Sequence, residues 1–92
     1  MTYTLTVQIE AWLEIQNAYD WYEEQKLGLG DAFIEQVELC YRALIKNPER
    51  FPYINHRYRR IKTNRFPYLV LYEIEGSNII VGRVRHVKQL PV

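Results

Sequence analysis

The segment from Arg65 to Ile74 is apolar on both of the faces that a β-strand would present. Phe66, Tyr68, Val70, Tyr72 and Ile74 alternate with Pro67, Leu69, Leu71 and Glu73. Successive side chains point to opposite sides of a strand, so an uncovered position would leave one of these sets in water. The pattern therefore predicts a central strand, flanked by other strands and covered by helices on at least one side. In a chain of 92 residues the cover must come from the same single domain, because a second core does not fit.

The first half of the chain supplies that cover. Thr2–Gln8 alternates Tyr3, Leu5 and Val7 against threonines and Gln8, which reads as a strand. From Glu10 the period lengthens: Ala11, Trp12, Ile15, Ala18, Tyr19 and Tyr22 fall at helical spacing. This predicts a first helix with Trp12 in the core and Trp21 half exposed. Gly28 is placed to end it as a C′ residue, and Gly30-Asp31 to cap a second helix. The second apolar stripe is Phe33, Ile34, Val37, Cys40, Tyr41, Leu44 and Ile45, closed by Asn47-Pro48. A link this short predicts an antiparallel helical hairpin. Residues 47–56 read as an ordered loop. Three β-segments follow, Arg57–Lys62, Arg65–Ile74 and Asn78–Arg85, with turns at Thr63-Asn64 and Glu75-Gly76-Ser77. The expected fold is α+β in the order β-α-α-β-β-β, one domain over residues 1–92. Its four-stranded, antiparallel-rich sheet packs on the N-terminal helical hairpin.

A single cysteine forms no internal disulfide, and the chain has neither a CxxC pair nor a Cys/His cluster of zinc spacing. Cys40, within an apolar helical stripe, reads as a small core residue, and no cofactor or metal is expected. The N-terminus has no basic start, apolar core or cleavage site of a signal peptide. No apolar run approaches the roughly 18–20 residues of a membrane span. The expectation is a cytoplasmic protein with no membrane partner.

Charge divides the chain more sharply than hydropathy does. Residues 1–46 carry eight acids against three bases, a net of −5; residues 47–92 carry nine bases against three acids, a net of +6. The second half is expected to meet an anionic partner, either nucleic acid or an acidic protein. If the last three segments form a meander, Arg57, Arg59, Arg60, Lys62 and Arg65 lie near Arg83 and Arg85 across the sheet. With Tyr58, Tyr68 and Tyr72 beside them, such a surface could bind phosphates and stack bases. The plainer alternative is a solvated basic face that keeps a sheet edge from aggregating.

His86 is the main acid–base candidate in this half, ahead of His56 in the loop. An imidazole titrates near neutral pH, and flanking Arg83 and Arg85 could stabilise a phosphorane by charge. The alternative is a surface histidine at a strand end. Glu23 and Glu24 read as a solvated helix face, and Ser77 as a turn residue without triad partners.

Several of these residues together resemble the ParE-like members of the RelE/ParE toxin superfamily. Asp20-Trp21-Tyr22-Glu23-Glu24-Gln25 followed by Gly28-Leu29-Gly30-Asp31-Ala32-Phe33 is similar to that family's helix-hairpin signature. Asn47-Pro48, Phe51-Pro52, Arg60, Arg65-Phe66-Pro67-Tyr68, Tyr72 and Val84-Arg85-His86 resemble its later landmarks in order. The resemblance runs from about residue 9 to residue 88. It implies a plasmid-stabilisation toxin of a type II toxin–antitoxin pair, neutralised by a cognate antitoxin that wraps it. ParE-like members poison DNA gyrase, whereas RelE-like members cleave messenger RNA on the ribosome without a metal. RelE-like enzymes carry an arginine just before the apolar run of the third strand, where this chain has Leu69. Under the gyrase reading, Arg57, Arg59, Arg60, Lys62, Arg65 and Tyr68 are the expected target contacts. Under the ribonuclease reading, His86, Arg83 and Arg85 are the catalytic set, with Arg60 as a further phosphate ligand. An inactive or non-toxic binding module on the same scaffold is the third expectation.

Overall fold

The doubly apolar segment forms β3 (Tyr68–Glu75), and it lies inside the sheet with a strand on each side. In the computed structural model, which describes residues 2–90, the chain runs β1 (Thr4–Val7), α1 (Ile9–Gln25), α2 (Leu29–Lys46), β2 (Arg59–Lys62), β3 and β4 (Asn78–His86). Single 3-10 turns cover Pro48–Arg50 and Val87–Gln89. The sheet order is β1-β4-β3-β2. β2, β3 and β4 form the expected antiparallel meander, and β1 joins the far side of β4 in parallel. The α+β architecture is therefore as the residue pattern indicates. No helix among the described residues is long and apolar enough to cross a membrane.

One face of β3 is sealed by the helices. Phe33, Val37, Cys40 and Leu44 from α2, with Ala11, Ala18 and Tyr22 from α1, pack on Val70, Tyr72, Ile79, Val81 and Val84. The Tyr72 ring is wholly buried, and its hydroxyl donates to the Pro48 carbonyl at 2.6 Å, anchoring the turn after α2 to the sheet. The opposite face carries a smaller cluster of Tyr58, Leu69 and Leu71, with Ile54 and Leu90 against it.

Six local expectations are corrected. Trp12 is 53% exposed, not core. The buried line of α1 is Ala11, Ala18 and Tyr22, and Trp12 lies about 100° of helical rotation away from Ala11. α2 begins at Leu29, so Gly30-Asp31 is not its cap. Gly28 is also not the C′ residue of α1, whose last helical residue is Gln25 and whose C-cap is Lys26; it adopts φ 90° immediately before α2. The capping comes instead from Glu23, whose Oε1 accepts the N–H groups of Gly28 and Gly30, both at 2.9 Å. The tight hairpin brings this carboxylate to the unpaired donors and positive pole of α2, so Glu23 is more than a solvated face. Finally, β2 is shorter than expected and Arg65 is not in a strand. Arg65 takes φ 73° in the turn between β2 and β3, where the buried Thr63 hydroxyl donates to the Phe66 carbonyl.

β3 and β4 slip register between Leu71 and Tyr72: Leu71 faces Arg83 and Tyr72 faces Val81, leaving Gly82 as an extra residue. A Cβ there would sit 2.7 Å from the Tyr58 hydroxyl. We expect Gly82→Ala to cost about 1–3 kcal/mol, the range for overpacking, in urea unfolding. Burial also pushes the Cys40 thiol from its usual 9.0 to about 11. Burial raises the Tyr72 phenol to about 12, and Tyr41 is raised by the same cause. Above pH 9 the unfolded chain releases these protons while the folded chain keeps them, so the native state binds more protons and stability falls as pH rises. Denaturant midpoints measured from pH 8 to pH 11 should decline.

Candidate functional site

Register decides which cations meet. Arg60 pairs with Leu71, which pairs with Arg83; Lys62 pairs with Leu69, which pairs with Arg85. Directly paired residues share a face, and adjacent strands lie about 4.8 Å apart, so each cation pair spans roughly 10 Å across the face turned away from the helices. The backbone thus gathers four of the expected basic residues from two distant segments. Three others fall outside the group. Arg59 lies on the side of Tyr72, and its guanidinium donates to the carbonyls of Glu49 at 3.0 Å and Phe51 at 2.7 Å, over the Tyr53 ring. Arg57 precedes the strand, pairs with Glu73 at 3.2 Å and covers the Tyr58 ring. Arg65 lies against Phe66, beside Lys26 and Leu29 at the helix hairpin.

The four gathered side chains do not remain side by side. Lys62 folds back, its amine donating to the carbonyls of Thr63 and Phe66 at 3.0 and 3.2 Å. Arg83 and Arg85 turn round the edge of β4 toward α1, where Glu14 waits. Glu14 takes Arg83 bidentately, Nε at 3.1 Å and Nη2 at 2.9 Å, and also accepts the backbone N–H of Val84 at 2.9 Å. Arg85 Nε stands 3.5 Å from the same carboxylate, and its Nη2 donates to the Gln89 carbonyl. The hydrogen bond to Glu14 holds the Arg83 guanidinium above its ordinary pKa. Arg60 takes part in none of the ion pairs among the described residues.

The topology explains why Glu14 can do this. β1 pairs with β4 only as far as Val81, so the edge of β4 beyond it is open. α1 runs beside that edge, and Glu14 satisfies the Val84 N–H that β1 stops too early to reach. The Glu14 role was hidden in the sequence, where it looks like any solvated helix acid. Its separation from Ala11 and Ala18 by three and four positions was the one available signal, since it places Glu14 near the buried side of α1.

His86 is on the other side of β4. It pairs with Tyr68, and the two rings meet edge-on at 5.3 Å. Trp21, Tyr22, Pro67 and Gln89 complete a cleft of about 450 Å³ around them. His86 Nδ1 accepts the Lys88 N–H at 3.0 Å, while the Gln89 side chain accepts the His86 N–H at 3.0 Å, so the histidine caps the final 3-10 turn. An accepting Nδ1 carries no proton, which leaves Nε2 as the nitrogen that holds it. Thus Tyr68 and His86 come together on one face of β4, while Arg83 and Arg85 project from its other face and pair with Glu14. His56 is exposed in the loop.

A family model described as the ParE toxin of the type II toxin–antitoxin system parDE matches residues 9–91. Among solved structures, a chain of the chromosomal ParDE TA system from P. aeruginosa superposes with a TM-score of 0.82 at 15% identity, covering 92% of this chain and 96% of that one. At that identity the likeness speaks for the fold. No curated protein sequence gives a significant match.

Glu14 is more than a surface acid in this geometry, and its loss has a measurable cost. Glu14→Ala strands the Val84 N–H without its acceptor and should lower stability by about 1–3 kcal/mol, read from the urea midpoint. Glu14→Gln keeps a carbonyl for that N–H and should cost less.

Proposed function

Because the chain belongs to the ParE toxin family of type II toxin–antitoxin systems, we propose that it arrests growth by binding DNA gyrase, not by cutting RNA, and that a cognate antitoxin holds it inactive. The observation that carries this reading is the Arg83–Glu14–Arg85 cluster. A metal-independent ribonuclease needs cations free to meet a phosphate beside a proton-transfer group. Here the two arginines share the single carboxylate of Glu14 within the fold, and His86 projects from the other face of β4. The position where RelE-like enzymes carry a third-strand arginine is Leu69, 4% exposed. What remains suits recognition by contact. Arg60 is an exposed cation on the sheet, and α1 displays Ile9, Trp12 and Leu13, each at least half exposed. Exposed apolar groups at this density mark interaction surfaces, and an antitoxin that covered them would also keep the toxin soluble.

Purified chain added to a gyrase supercoiling reaction should inhibit it, and induced cells should show DNA-damage signalling. His86→Ala should remain as toxic as the parent chain. Untouched gyrase, together with codon-phased cleavage of messages that His86→Ala abolishes, would replace this reading with the ribosome-dependent ribonuclease. Harmless expression without an antitoxin would indicate a non-toxic binding module.

A further inference from the structure

Four nitrogen donors aim at the single carboxylate of Glu14, and one of them is left over. Oε1 takes Arg83 Nε and the Val84 N–H; Oε2 takes Arg83 Nη2. Arg85 Nε is buried, lacks a hydrogen-bond partner, and stops 3.5 Å from Oε2. A planar carboxylate presents two oxygens, whereas a tetrahedral oxyanion presents three or four spread through space. Two guanidinium groups flanking a backbone N–H, with a donor to spare, suit the second shape better than the first.

The surroundings of this nest extend the argument. A cleft of about 230 Å³ adjoins it, lined by Glu14, Asn17, Ala18, Trp21, Tyr68 and Gln89 among others. Trp21, Tyr68 and Gln89 also line the larger cleft of about 450 Å³ that holds His86, so the two run together. Trp21 is 57% exposed, and its indole forms one wall of both clefts. Glu14 and Val84, two members of the nest, thus line a cleft whose other walls include the half-exposed Trp21 and Tyr68.

We propose that this continuous site binds a nucleotide unit, its phosphate replacing the Glu14 carboxylate between Arg83, Val84 and Arg85, and its base lodged against Trp21 and Tyr68. Base stacking on aromatic rings is tolerant of base identity, so the site selects nucleotides as a class. In the resting protein Glu14 is the internal ligand, tethered at high effective concentration, and an incoming phosphate must displace it. Only the fraction of molecules with Glu14 swung out is competent, and the apparent affinity falls by that fraction. This assignment stands apart from the gyrase reading: toxicity and supercoiling inhibition can persist whether or not a nucleotide binds.

The test is a titration of the full-length wild-type, Glu14→Gln and Glu14→Gln/Arg83→Ala chains with adenosine monophosphate, following Trp21 by fluorescence with Trp12→Phe present in all three. The expected result is binding to Glu14→Gln at least tenfold tighter than to wild type, reversed by the added Arg83→Ala. Equal affinity for wild type and Glu14→Gln, or no binding by Glu14→Gln, overturns the proposal. A short single-stranded oligonucleotide provides the second arm. Tighter binding than the mononucleotide places the phosphate in a strand, and weaker binding assigns the site to a free nucleotide. Should Glu14→Gln not fold by circular dichroism, the wild-type chain decides. Millimolar adenosine monophosphate must then move the Val84 amide and Trp21 indole resonances together, and movement of neither refutes the site.

Discussion

Tyr72 stands at the middle of β3 with its ring fully buried against the helices, while its neighbours Leu71 and Leu69 are sealed on the reverse face. Keeping both sides of this one strand dry sets the rest of the arrangement. The helical hairpin supplies one cover. On the other side the chain has no third helix to spend, so the loop before β2 folds over instead, bringing Ile54 and Tyr58 onto Leu69 and Leu71. That loop is tied down by Arg59 reaching the carbonyls of Glu49 and Phe51, and by the Tyr72 hydroxyl at Pro48. Burial of a large aromatic ring is among the strongest single contributions available to so small a core. Its polar tip is satisfied by the same contact that fixes the loop.

Much of this was legible beforehand, and the failures have particular causes. The periodicity found both α-helices and all four strands, because period two and period 3.6 are hard to confuse over segments this long. It misplaced Trp12 because helical spacing admits residues on either flank of a stripe, and two alanines were enough to set α1 down closely on the sheet. It misplaced the α2 cap because it sought a cap in the local sequence, and Glu23 arrives from the previous helix. Arg65 was read into a strand because alternation continued through it, while the backbone turns there with positive φ.

The candidate site was less legible than the fold. Segregated charge suggested a surface poised for an anionic partner, and register does gather Arg60, Lys62, Arg83 and Arg85 on one face. Most of those cations nonetheless have work inside the molecule. Arg57 answers Glu73, Arg83 and Arg85 answer Glu14, and Lys62 holds a turn. The acids of the first half and bases of the second were partly complementary to each other, which a tally by halves cannot reveal. Neither could it show that Tyr68 and His86 share a cleft with Trp21, since that depends on how α1 lies along β4.

The parallel pairing of β1 with β4 joins the start of the chain to its end, Thr4 beside Asn78 and Val7 beside Val81. β4 also bridges β1 to β3, and it carries the backbone that Glu14 grips. During synthesis, then, the first strand and first helix emerge long before their partner exists. A nascent or prematurely terminated chain has helices but an incomplete sheet, with its longest-range contacts unmade. This wiring leaves both the β1–β4 and the β3–β4 pairings unmade until β4 itself has been synthesised.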